Sequence, residues 1–400
     1  MEEGVRSTVI RNFCEYNNIL ELAHFQYEIV NNATFYSPDA KNVLFSAPTG
    51  SGKSLVAEII ACVNVLLTRK RCIFIQPYIA SASELFFALQ RPWRSLGLIV
   101  KAHFGSSSLS LNEEFSAVVC TIEKASSLIN RIIKEGLIDE FCTIVIDEAH
   151  MVFDGDRGSI LEDILIKLKA LRVRNISTVQ VIAMSATIED FTLFTTLMDT
   201  EFMDYSNSNA RDLQQFFVAG KEFYVAKDGG IERSDRQAMF NFKSDDLGIL
   251  SLVMEVVIEW KSVLIFCQTK AVVEKTAKLL AMCIYQCAGK GKEPFNVLKE
   301  HVDECIQLSG FGFMDDCIKC GVAFHHSGVP NDARKKIEKL FKDRKLAVIV
   351  CTSTLSTGVN LPASRVVINL VGSFYKTLNY VTYYQMIGRT GRRGFGRGEF

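Results

Sequence analysis

The stretch "LFSAPTGSGKSLVAEII", residues 44–60, decides how the rest of this chain is read. Apolar Leu44 and Phe45 run into a loop made of Ala47, Pro48, Thr49, Gly50, Ser51, Gly52, Lys53 and Ser54, and an amphipathic run leaves it. Strand, glycine-bearing loop and helix together are the context in which a phosphate-binding loop is credible. Gly50 and Gly52 let backbone N–H groups turn inward around phosphate oxygens. Lys53 neutralises the β and γ phosphates, and the helix N-terminus adds its dipole. Ser54 is placed to reach a magnesium ion. A ligand-free glycine turn between strand and helix is the bland alternative, and the remaining motifs weigh against it.

With 400 residues, 48% of them hydrophobic and 22% charged, the chain can bury a large core and is long for one compact domain. Two domains are the first expectation. No apolar run approaches the roughly eighteen residues of a membrane span, and "MEEGVRSTVIRNF" lacks the segments of a signal peptide. The expectation is an intracellular protein with no membrane partner, nuclear in a eukaryote and cytoplasmic otherwise. Several of the 12 cysteines (Cys72, Cys120, Cys142, Cys267, Cys351) sit in apolar, strand-like runs, which argues for reduced, buried thiols rather than a disulfide framework. Formal net charge is zero, so any nucleic-acid binding must use a local groove.

Short β-branched runs alternate with longer helical periods, the signature of a parallel α/β sheet covered by helices. Strands are expected at 43–45, 72–75, 118–121, 144–146 and 179–183, with helices at 55–67, 83–89, 125–133 and 160–171. The polar patch "DTEFMDYSNSNARD", residues 199–212, interrupts this rhythm. A second series follows, with strands at 263–267, 322–324, 348–351 and 366–368 and helices at 271–283 and 332–341. Two tandem α/β domains, 1–205 and 206–400, fit better than one. No letter-level repeat relates them.

Three further motifs follow the loop in order. "TIVIDEAH", residues 143–150, runs an apolar strand into Asp147 and Glu148, at the sheet edge where α/β ligands sit. One carboxylate can hold Mg²⁺ while its neighbour acts as a base for water. "AMSAT", residues 183–187, is another strand ending in small hydroxyl residues. "YQMIGRTGRRG", residues 384–394, carries Gln385, Arg389 and Arg392 on a glycine-turned segment, and guanidinium groups held there suit phosphate contact.

These four, in this order and spacing, resemble motifs I, II, III and VI of the superfamily-two helicases, over nearly the whole chain. "STLSTGVNLPA", residues 353–363, resembles motif V of the Ski-like branch, while "VCTIEKASSLINRII" and "CGVAFHHSGVPNDARKKIEKLF" resemble the helicase domain of DNA polymerase theta and its helicase relatives. Two letters depart from the pattern: Ala47 stands where the general loop has Gly, and Ala149 where the polymerase-theta group more often has Leu. The resemblance implies two RecA-like domains with ATP and Mg²⁺ in the cleft between them. Lys53, Ser54, Asp147 and Glu148 come from the first, Gly358, Gln385, Arg389 and Arg392 from the second, and Gln26 reads adenine. It assigns Mg²⁺ to Ser54 and Asp147, activation of water to Glu148, its positioning to Gln385, and charge stabilisation to Arg389 and Arg392. It places grips on single-stranded DNA at Pro77, Gly105, Thr121 and Lys124, and at Gln268, Thr269 and Thr352. It implies 3′ to 5′ movement, with RNA as the alternative substrate of the wider branch and an idle, scaffold-like ATP site as the remaining alternative.

Other signals are weaker. Cys283, Cys287, Cys305 and "CIKC", residues 317–320, only partly match zinc spacing, and packed thiols are the competing reading. Adjacent His325 and His326 at a strand end point to opposite faces, so they do not readily share a metal. "DGDRGSILEDIL" lacks the calcium-loop ligand order and reads as a loop-to-helix cap. After the last arginine only Gly398, Glu399 and Phe400 follow, fewer than the five or six or so residues of an ordinary strand. The expectation is a second sheet short of a strand and a chain without the downstream domains of the helicases it resembles.

Overall fold

The computed structural model describes residues 2–186, 191–205, 213–219, 222–227, 230–240, 242, 245, 248–288, 314–355, 361–370, 378, 380–390 and 398–399. The chain divides into two compact units, Met1–Ser208 and Asn209–Phe400. The division falls inside the polar patch, three residues past the expected 205.

The first unit holds a seven-stranded parallel sheet. Its strands are β1 (Val43–Ser46), β2 (Arg71–Gln76), β3 (Val100–His103), β4 (Ala117–Thr121), β5 (Phe141–Ile146), β6 (Gln180–Ser185) and β7 (Phe202–Asp204), in the spatial order β3-β4-β2-β5-β6-β1-β7. Alternation along each strand sorts side chains onto two faces. Phe45, Phe74, Val119, Val145 and Ile182 pack on one face with helices α1 (Glu2–Tyr16), α2 (His24–Asn31), α3 (Lys53–Thr68) and α4 (Ile79–Ser95). Leu44, Ile73, Val118, Ile144 and Val181 pack on the other with α5 (Ile122–Lys134), α6 (Gly155–Val173) and α7 (Thr192–Met198). Strands covered on both faces read as continuous apolar runs, which is why they were legible. Trp93 of α4 is fully buried with its ring edge on Phe74, centroids 5.9 Å apart. Helix α6 begins at Gly155, five residues before the expected 160, and the loop-to-helix junction read in this stretch carries no side-chain cap hydrogen bond.

In the second unit six parallel strands are ordered β13-β14-β12-β15-β16-β8: β8 (Leu213–Gln214), β12 (Val263–Phe266), β13 (Val322–His325), β14 (Val348–Cys351), β15 (Arg365–Ile368) and β16 (Gly398–Glu399). Among the described residues the helices here are α8 (Ile249–Val257), α9 (Lys270–Ala288), α10 (Met314–Lys319), α11 (Asn331–Lys342) and α12 (Tyr380–Ile387), the last preceding the arginine segment. Gly398–Glu399 pairs with Arg365 on one side and with Leu213–Gln214 on the other. The expectation of a missing strand is thereby corrected, because a parallel bridge needs backbone groups from only a couple of residues.

A separate antiparallel meander, β9 (Phe217–Ala219), β10 (Glu222–Lys227) and β11 (Gly230–Arg233), was not legible in the sequence. It is tied down by Arg236, which lies over the rings of Phe216 and Phe223 and pairs with Glu255 of α8 at 2.9 Å. Glu255 also holds Arg365 of β15 at 2.8 Å, with both side chains 8% exposed. Removing one partner of such a buried pair costs about 3–5 kcal/mol.

Candidate nucleotide and nucleic-acid sites

All seven strands of the first sheet run the same way, so their C-terminal ends form one edge. The loop after β1 turns on Gly50 (φ 76°) and Gly52 (φ 87°), both in the left-handed region. A Cβ at Gly52 would collide with Gln26 Nε2. Helix α3 starts at Lys53 with no side-chain cap, so its first N–H groups face the loop as an anion site requires. Lys53 Nζ donates to the carbonyls of Ala47 (2.9 Å) and Pro48 (3.2 Å). The Ser51 hydroxyl is buried without a hydrogen-bond partner.

Gln26 is 4% exposed and both ends of its amide are engaged. Its Oε1 accepts from Ala23 N–H (2.8 Å), and its Nε2 donates to the carbonyls of Ser51 (3.0 Å) and Gly52 (3.1 Å). The side chain expected to read adenine braces the loop here.

Asp147 and Glu148 follow β5. Asp147 Oδ1 accepts from Glu148 N–H (2.9 Å) and Oδ2 from Gln76 Nε2 (3.0 Å). Burial, with the neighbouring Glu148 charge, pushes the Asp147 carboxyl up to about 6, although Lys53 pulls it down. Glu58, one turn into α3, is pushed up to about 7 by burial and then by Asp147. Glu148 sits at φ 51°, sparsely populated for a side-chain-bearing residue, and this aims its carboxylate. Its Oε2 is buried, makes no hydrogen bond, and stands 3.4 Å from His150 Nδ1. His150 Nδ1 lies 2.9 Å from Ser185 Oγ at the end of β6, so the second and third motifs meet through these two side chains.

The donor set fits a magnesium ion. A carboxylate and a hydroxyl are hard oxygen ligands, and a divalent cation would supply the countercharge that burial denies Asp147.

The expected strand grips occupy the other half of the same edge. Pro77 follows β2, Gly105 follows β3 with φ 57°, Thr121 ends β4, and Lys124 lies in the first turn of α5. Because β3, β4 and β2 are neighbours, these four share one side of the edge, while β5, β6 and β1 carry the carboxylates, Ser185 and the glycine loop on the other.

In the second unit Gln268 and Thr269 follow β12, and Thr352 follows β14, its hydroxyl 2.9 Å from that of Thr354. Thr269 Oγ1 accepts from Val272 N–H at the start of α9. His325 meets Glu338 of α11 and His326 meets Glu274 of α9, each at 3.0 Å, as expected for adjacent residues on opposite faces. Gln385 is half-buried on α12, and Arg389 is 6% exposed, its carbonyl accepting from Ala363 N–H (2.8 Å). Thr390 Oγ1 donates to Ser364 O (3.0 Å), which fixes the segment beside β15. Gly358 and Arg392 lie outside the described residues, as do Thr187 of the third motif and Cys305.

Gln76, Glu58 and the His150–Ser185 pair were not picked out from the sequence. A polar residue ending an apolar strand just before Pro77 was the available signal for Gln76.

The DEAD/DEAH box helicase family matches residues 24–193, and the helicase conserved C-terminal domain matches residues 295–394. DNA polymerase theta of Mus musculus is 34% identical over 384 residues, covering 89% of this chain and 15% of that protein. The Helicase POLQ-like protein of Homo sapiens is 32% identical over 373 residues, covering 89% and 33%. The ATP-dependent DNA helicase Hel308 of Thermoplasma volcanium is 32% identical over 365 residues, covering 89% and 49%. The chain thus spans less than half the length of each of these relatives. With its two helicase domains in tandem, it belongs to the superfamily-two DEAD/DEAH-box helicases, in the group that holds the polymerase theta helicase domain, the POLQ-like helicases and Hel308.

Proposed function

We propose that this chain is the motor core of an ATP-dependent DNA helicase or translocase that moves 3′ to 5′ on single-stranded DNA in repair. The observation carrying this reading is the division of one sheet edge, with phosphate loop and paired carboxylates after β1 and β5 and the backbone grips after β2, β3 and β4. Lys53 and the uncapped start of α3 hold the phosphates. Ser54 and Asp147 hold magnesium, which when bound neutralises phosphate charge. Glu148 takes a proton from the attacking water at its Oε2, which makes no hydrogen bond of its own. Arg389 and Arg392 stabilise charge on the transferring phosphoryl, and Gln385 positions the water. Grips at Pro77, Gly105, Thr121, Lys124, Gln268, Thr269 and Thr352 contact backbone rather than bases, which accords with a net charge of zero.

ATP turnover measured with matched single-stranded DNA and RNA across a salt series tests this. DNA is expected to stimulate more than RNA, with apparent affinity falling steeply as salt rises and varying little with base sequence. Equal or stronger stimulation by RNA would move the chain to RNA processing. Turnover indifferent to both would refute the motor reading.

A further inference from the structure

Gln76 is the last residue of β2 and is 3% exposed. Register pairs it with Thr121 of β4 on one side. On the other, its amide donates to Asp147 Oδ2 at 3.0 Å, and Asp147 N–H donates to the carbonyl of Ile75, one residue earlier. Pro77 follows it directly, with φ restrained by its ring and no N–H to pair. One buried residue therefore spans the boundary between the two halves of the edge, by its backbone on one side and its side chain on the other. Thr121 and Pro77 belong to the half read as the strand grip, and Asp147 to the half read as the metal and phosphate site.

We infer that Gln76 is a positioning residue that ties engagement of single-stranded nucleic acid at Pro77 and Thr121 to the orientation of the Asp147 carboxylate. This rests on the helicase reading above. Asp147 Oδ1 is held by the Glu148 amide, so the Gln76 bond fixes the one remaining rotational freedom of the carboxylate. A strand pressing on the β2 and β4 ends moves Gln76 with the backbone it belongs to. That motion reaches Asp147 through one hydrogen bond to a charged group, a contact that survives in low dielectric. Differential contact in the two states is what coupling requires.

The test uses the whole chain, with Gln76→Leu and the similarly long, non-donating Gln76→Met. Three quantities are measured: anisotropy of a labelled single-stranded oligonucleotide, equilibrium binding of a fluorescent ATP analogue titrated with Mg²⁺ with and without saturating oligonucleotide, and ATP turnover under the same conditions. In the unmodified chain, oligonucleotide is expected to lower the Mg²⁺ concentration for half-maximal analogue binding and to raise turnover. In both variants, oligonucleotide affinity is expected to stay within about twofold. The oligonucleotide-dependent Mg²⁺ shift and the stimulation ratio should fall roughly tenfold, the size of one hydrogen bond to a charged group. Variants that keep the full Mg²⁺ shift and stimulation ratio would overturn the inference while leaving the helicase reading intact. An unmodified chain indifferent to oligonucleotide would overturn both. Equal losses of oligonucleotide affinity and stimulation would assign Gln76 to the grip itself and also overturn the coupling.

Discussion

Replacing Glu148 by Gln isolates the base from everything around it. The Glu148 Oε2 is buried but makes no hydrogen bond, and its neighbour His150 Nδ1 is already engaged with Ser185 Oγ at 2.9 Å. Exchanging that oxygen for an amide nitrogen of the same shape breaks no hydrogen bond and gives up only the charge facing His150 Nδ1 at 3.4 Å, so the thermal midpoint should change little. The Lys53 contacts and the Gln76–Asp147 bond involve other atoms and persist. Loss of the Glu148 charge also removes one of the causes holding the Asp147 carboxyl up, so magnesium and nucleotide binding should not weaken. Only proton removal from water is lost. General-base contributions run from roughly 10² to 10⁴ in rate, so turnover should fall at least ~10²-fold, about 2.7 kcal/mol of barrier. Single-turnover hydrolysis with saturating ATP, beside equilibrium binding of a fluorescent ATP analogue, separates the two steps. Turnover close to that of the unmodified chain would refute the assignment, as would a loss traced wholly to nucleotide affinity.

Lys53→Ala should act at the other step, weakening analogue binding by tenfold or so through loss of the phosphate-facing ammonium, and undiminished affinity would show that α3 alone holds the phosphates. Thiol labelling of the native chain near pH 8 should modify half-buried Cys14, Cys287 and Cys320 well before Cys62, Cys72, Cys120 and Cys351. Burial has pushed the latter four thiols far up, and peptide mass spectrometry before and after urea unfolding checks the order. Burial also holds His326 below the ordinary histidine value despite its Glu274 partner. A depressed folded value means the unfolded chain binds more protons, so this contribution to stability is complete above about pH 6.5 and is lost as pH falls through the folded value. Urea midpoints between pH 7.5 and 5.5 should fall less steeply in His326→Asn than in the unmodified chain, and equal slopes would contradict the assignment.

The loop "APTGSGKS", the box "DEAH" and the buried strands were legible because each is a local pattern. Glycine spacing sets backbone freedom, and an apolar run between helical periods marks a strand covered on both faces. Elements with few buried positions were not legible. Helix α1 buries only Val9 and Phe13, and the meander strands are only three to six residues long. What the tertiary structure alone decided is who stands beside whom. Strand order put Gln76 between Thr121 and Asp147, brought His150 to Ser185 across 35 residues, and turned Gln26 onto the loop it braces. Strand pairing is made by backbone N–H and C=O groups that are nearly the same at every residue, so the order of strands leaves little local trace in side-chain identity.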